Sequence, residues 1–164
     1  RKIEEYNKEK IKALDPEFQP QVQELIILGR ALGVILLIKS GYRSSEEQDR
    51  AYAEGRTTPG TITTEVPGGS SWHNHGRAVD LIIIDPNTGV RMFGDEEVAV
   101  LKDLAEKMKM QNSDVVWGGD WTSLKDYPHF ESHKNITIEQ AKLGEKPRLN
   151  NYKEQIAQAL KPSR

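Results

Sequence analysis

Two stretches of this chain carry side chains that bind divalent cations and move protons: Ser71-Trp72-His73-Asn74-His75-Gly76-Arg77-Ala78-Val79-Asp80, and Asp126-Tyr127-Pro128-His129-Phe130. Asp80 sits in Ala78–Ile84, an almost wholly apolar run, where strand alternation puts it on the face of Ala78, Ile82 and Ile84. An ionised carboxylate there is costly unless it is paired, hydrogen-bonded or metal-bound. Two readings stand side by side: an ion pair with Arg43 or Arg77, or a metal ligand. Asp126 stands three residues before His129, next to a stiffening Pro; such a histidine can ligate zinc while the carboxylate takes a proton from water. His73, Asp80 and His129 would supply two imidazoles and one carboxylate, a zinc set that leaves a fourth position for water. No HExxH helix occurs. The His73–Asp80 spacing is not that of one helical face, so Gly76 must turn the chain between them.

The neighbouring side chains have plainer readings. His75 points away from His73 in an extended chain and reads as a loop or supporting residue. His133 reads as a surface histidine. Glu131 alternates onto the face of His129, either touching the site or lying on a solvated edge. Trp117 reads as core, whereas Trp72 and Trp121 could wall a groove for an extended peptide. Asp120 reads as the cap of a glycine turn.

Several elements must position these groups. Apolar spacing predicts helices over 2–14 and 18–32, stopped by Asp15-Pro16 and Gly33. Val34–Ile38 reads as a strand buried on both faces. Ser45 is the expected N-cap of a helix over 46–54, with Gln48 at the capping-box position. Residues 56–71 form a long surface loop rich in Pro, Gly and Ser. Ala78–Ile84 is the second strong strand, and Asp85–Gly89 should turn the chain so that Val90–Phe93 returns as its hairpin partner. Residues 95–110 form an amphipathic helix with acids first and lysines last. Val115–Trp117 and Tyr127–Glu131 read as extended, with a turn at 118–121. Short helices are expected over 137–143 and 151–160, around a solvated run at 145–148. The order predicts an α+β fold with a small, mostly antiparallel sheet flanked by helices.

The pattern Ser71-x-His73-x-x-Gly76-x-Ala78-x-Asp80 resembles the signature of the D-Ala-D-Ala metallopeptidases of the VanX and VanY type, which share a hedgehog-like fold. Ser40-Gly41-Tyr42-Arg43-Ser44 and Trp117-Gly118-Gly119-Asp120-Trp121 through Phe130 are similar to the L-alanyl-D-glutamate endopeptidase branch, which includes phage endolysins and CwlK-like wall hydrolases. The likeness spans about residues 25–131. It implies one Zn²⁺ per chain on His73, Asp80 and His129, Asp126 as general base, and Arg43 against the developing oxyanion. Ser71 would support the site or touch substrate, a peptidoglycan stem peptide. Residues 1–131 would form the peptidase domain and 132–164 a charged tail of unknown role.

Composition narrows the alternatives. A chain of 164 residues is one domain, large enough to hold a core without disulfides. A net charge of −2 gives no basic surface for nucleic acid. With no cysteine, thiol nucleophiles, thiolate zinc fingers and iron–sulfur clusters are excluded. No apolar run is long enough to span a membrane. A monomer is expected, secreted or at the cell wall, with a phage lysin made in the host cytoplasm as the alternative. No leader is evident, and removal of one before Arg1 stays open. Rival functions are a D,D-carboxypeptidase or dipeptidase, and a non-catalytic wall-binding module whose metal a fourth ligand such as His75 would close.

Overall fold

A computed structural model describes residues 2–134, 136–144 and 160 of the chain. The apolar stripes of the first two helices fold as α1 (Lys2–Lys12) and α2 (Gln19–Ala31), both packed on β1 (Ile35–Ser40). β1 pairs antiparallel with β2 (Ala78–Ile84); β4 (His129–Glu131) pairs with β2 on its other side, and β3 (Val116–Trp117) closes the sheet in the order β1-β2-β4-β3. α4 (Gly94–Met110) packs on α2 and β2, and α3 (Ser45–Ala53) follows β1. α5 (Ile138–Lys142) lies beyond the sheet, with Ile136 and Ala141 buried. The expected helix over 151–160 and the run at 145–148 lie outside the described residues, apart from Leu160. Among the described residues no helix is long and apolar enough to cross a membrane.

The helices cover one face of the sheet. Leu36 and Ile38 of β1 and Val79, Leu81 and Ile83 of β2 point into that core, joined by Phe18, Leu25, Leu101, Leu104 and Phe130. Each fully buried side chain of this kind contributes about 1.5–3 kcal/mol by leaving water. β1 is therefore buried on one face, not two: Ile35 and Leu37 are only half-buried and Lys39 is exposed. The opposite face carries Asp80, and β1 is the edge strand of an antiparallel sheet. Its open edge is covered by Asn7 of α1, whose Nδ2 donates to Leu36 O (2.8 Å) while its Oδ1 accepts from Ile38 N (2.9 Å).

Three local expectations change. Ser44, not Ser45, caps α3, its Oγ accepting from Glu47 N (3.1 Å), and Gln48 turns inward instead of closing a capping box. Val90–Phe93 forms no strand; only an isolated bridge, Ile84 to Arg91, survives past the turn. Asp120 caps no turn but receives Lys109 Nζ at 2.6 Å from the end of α4.

Candidate metal centre and active site

The sheet delivers the three predicted ligands to one point. Asp80 and His129 are cross-strand partners in the β2/β4 ladder. His73 lies in a single 3₁₀ turn, Trp72–His75, capped by Ser71, whose Oγ accepts from His73 N (3.2 Å). Gly76 ends that turn at φ 68°, a left-handed conformation that glycine adopts without strain, and β2 begins two residues later. A slipped register in β1 between Ile38 and Ser40 sets Ser40 opposite Asp80, and Ser40 Oγ donates to Asp80 Oδ2 at 2.7 Å.

Ligand atoms from His73, Asp80 and His129 all lie within 4.8 Å of one another, and among the described residues no other acid or histidine joins this cluster. Each imidazole has its tautomer set from behind. His73 Nδ1–H donates to Gly41 O (2.8 Å), leaving the Nε2 lone pair 3.4 Å from Asp80 Oδ2. His129 Nε2–H donates to Glu131 Oε1 (2.8 Å), leaving Nδ1 3.2 Å from Asp80 Oδ1. A carboxylate between two ring nitrogens calls for positive charge, which a proton on His129 supplies in the metal-free protein and a divalent cation could replace. Two imidazole nitrogens and a carboxylate oxygen within 4.8 Å of one another are a donor set that divalent cations such as zinc accept.

The electrostatics agree. Burial would raise the Asp80 carboxyl, but hydrogen bonds and charge from His129 and His73 win and hold it far below the ordinary carboxylate range. Burial would lower His129, yet Asp80 and Glu131 pull it up to about 9. Asp126 moves the other way: burial, then the charge of Asp80, raises it. Its Oδ2 lies 3.9 Å from His129 Nδ1, on the ligand side of the ring. The ion-pair reading of Asp80 falls away. Arg77 is buried elsewhere, its Nη1 3.1 Å from Asp15 and its Nε donating to Ser132 O (2.6 Å), and Arg43 bonds Gln48 Oε1 at 2.7 Å.

The cluster forms the floor of a cleft of about 900 Å³ lined by Arg43, Ser71, Trp72, Trp121 and Asp126. Arg43 is fixed at both ends, its backbone N–H on His73 O (3.0 Å) and its guanidinium on Gln48. Gln48 in turn ties down the long loop through Thr64 Oγ1 and Val66 O. Asp126 is held by its backbone N–H on Gly118 O (3.1 Å), and a Cβ on Gly118 would come within 2.2 Å of Asp126 O. Trp121 packs its ring 5.1 Å from that of His129. Trp117 is core, as its sequence context suggests, with Nε1 donating to Tyr127 O. His75 turns away and bonds Gly69 O (2.9 Å), so it closes no coordination position.

Four residues take on contacts that the sequence did not give them. Ser40 stood only in the Ser40–Ser44 block and Gln48 only at a capping-box position, because their partners Asp80, Arg43 and Thr64 lie elsewhere in the chain. Glu131 had one, its two-residue alternation with His129, and it proves buried against that ring. His133 is not a plain surface residue: its Nε2 lies 3.0 Å from Glu131 Oε2 and its ring stacks on Trp72 at 4.7 Å.

Comparison with known proteins places this arrangement. Residues 64–132, which include His73, Asp80, His129 and Asp126, match the family model described as D-alanyl-D-alanine carboxypeptidase. The chain is 36% identical over 111 residues to the peptidoglycan L-alanyl-D-glutamate endopeptidase CwlK of Bacillus subtilis, a match that covers 63% of this chain and 64% of that protein's length. In fold it is similar to the Serratia marcescens L-Ala D-Glu endopeptidase ChiX (TM-score 0.55, 23% identity, 84% of this chain and 90% of that one). It is also similar to the vancomycin-resistance D,D-pentapeptidase VanY solved with Zn(II) (TM-score 0.50, 23% identity, 77% and 82%). Over residues 64–132 the chain is thus similar to the D-alanyl-D-alanine carboxypeptidase family, over 111 residues to the L-alanyl-D-glutamate endopeptidase CwlK, and in its α+β fold to ChiX and VanY.

Proposed function

We propose that the protein is a zinc-dependent peptidoglycan endopeptidase that hydrolyses the L-Ala–D-Glu bond of the stem peptide. One observation carries this reading: two lone pairs and a carboxylate converge on the floor of an open cleft, with Asp126 and Arg43 beside them and no fourth protein ligand among the described residues. A structural zinc site needs neither a base nor an open side. The identity to CwlK supports this bond preference; the family description keeps cleavage at D-Ala-D-Ala ends as the second reading.

His73, Asp80 and His129 hold one Zn²⁺, which when bound supplies Lewis acidity, lowering the pKa of a water to about 7 and polarising the scissile carbonyl. Asp126 accepts the proton of the attacking water and delivers it to the leaving amine as the C–N bond breaks. A carboxylate 3.9 Å from the ligand-side nitrogen of His129 is within reach of both the water and the leaving amine. Arg43, anchored by Gln48, faces the negative charge that develops on the carbonyl oxygen. Trp72 and Trp121 wall the groove for the extended peptide, and Ser71 fixes the turn that carries His73. The protein acts as a monomer on the cell wall, in lysis or remodelling.

The deciding experiment digests purified peptidoglycan with metal-replete protein, with and without chelator, and identifies the new termini by mass spectrometry. New D-Glu amino termini that vanish on chelation are expected. Release of D-Ala instead would move the protein to the D,D-peptidases, and zinc binding without cleavage would make it a wall-binding module.

A further inference from the structure

Behind the metal centre lies a chain of contacts that hydrolysis itself does not use. His129 Nε2 meets Glu131 Oε1 at 2.8 Å, Glu131 Oε2 meets His133 Nε2 at 3.0 Å, and the His133 ring stacks on Trp72 at 4.7 Å with only 14° between the planes. Trp72 immediately precedes His73, so the chain runs from one ligand round the back of the site to the other. Glu131 is 7% exposed on a three-residue strand with every position buried. An apolar side chain at such a place would avoid the cost of burying a carboxylate, and buried ion pairs seldom add net stability. What the carboxylate does is chemical: it accepts the Nε2 proton of His129, which leaves the Nδ1 lone pair for a cation and makes the imidazole a stronger donor.

We propose that Glu131, braced by His133, is a positioning residue that sets the metal affinity of the site through His129. The inference rests on the reading that His73, Asp80 and His129 hold a divalent cation. His133 has a separate part in it. Its hydrogen bond orients the Glu131 carboxylate, and its stacking on Trp72 fixes the distance between β4 and the turn that bears His73. The two oxygens of Glu131 face two different histidines, so neither is free to swing onto the cation itself.

The test measures Zn²⁺ affinity of the full chain by competition with a chromophoric chelator, with no substrate present. Glu131→Ala should weaken zinc about 10–100-fold, the usual effect of removing a carboxylate behind a histidine ligand. Glu131→Gln should restore part of the loss, because its amide oxygen still accepts from Nε2–H. His133→Phe keeps a ring against Trp72 and should lose less than Glu131→Ala. Thermal melting of the metal-free variants accompanies each titration and separates a folding defect from an affinity defect. Unchanged zinc affinity in Glu131→Ala, with or without a lower melting temperature, would overturn the proposal and leave Glu131 a structural residue. Absence of zinc binding by the unmodified chain would instead overturn the metal-site reading, and this inference with it.

Discussion

At the scale of single residues, the proposed function assigns some groups to hold the cation and others to do chemistry beside it. His73→Ala removes a ligand and should abolish both zinc binding and hydrolysis. Asp126→Ala removes only the proton acceptor and should keep zinc while hydrolysis falls by about 10²–10⁴. Equilibrium dialysis and a peptidoglycan assay on both variants check the split; equal zinc loss would cancel it. Arg43→Ala should cost about 10²–10³ in rate with zinc retained, as for loss of one oxyanion donor. The pH dependence of metal binding follows from His129, held at about 9 against an ordinary 6.5. Because the folded value is the higher one, the proton on His129 stabilises the metal-free protein fully below pH 6.5, and that contribution is lost as pH rises through about 9. A cation must displace the same proton. Zinc affinity should therefore climb about tenfold per pH unit towards 9 and then level off, as chelator competition at several pH values would show.

At the scale of elements, the signals legible in the sequence were those that act locally. The helix over 95–110, the strand at 78–84 and the turn at Gly76 follow from periodicity and from one glycine, and the structure has all three. The three cluster residues were legible as candidates because Asp80 is an acid in an apolar strand with His73 just before it, and the motif's resemblance joined His129 to them. What stayed hidden depends on partners far along the chain. Val34–Ile38 is apolar enough to be buried on both faces, and only the placement of every large helix on one side leaves Ile35 and Leu37 half-open. Asn7, on which the apolar spacing of its helix is silent, is 5% exposed and closes the edge of β1. Asn7→Ala would strip partners from a backbone carbonyl and an amide at once. A loss of about 1–3 kcal/mol is expected, read by urea denaturation, with zinc affinity unchanged because the site lies across β2.

At the scale of the whole molecule, the proposed cation site is a feature that only the folded chain possesses. His73 belongs to a turn, Asp80 to one strand and His129 to another, and no short peptide of this sequence brings them within reach. Binding energy is then folding energy. With free zinc a thousandfold above Kd the stabilisation is about 4 kcal/mol, and chelation should lower the melting temperature by roughly 10 °C for a chain of this length. Scanning calorimetry with and without chelator checks it. A shift of under one degree would mean that the site is not formed by folding, or that the chain does not hold zinc.

The cross-strand pairing of Asp80 with His129 has one more consequence. Strand side chains alternate, so a slip of one residue between β2 and β4 would turn His129 into the core and offer Phe130 to the cleft. The strand is only three residues long, too short to police its own alignment by packing alone. A cation that needs both side chains on one face proofreads the pairing. On the proposed reading, metal supply would thus bear on how faithfully the two strands pair as well as on activity.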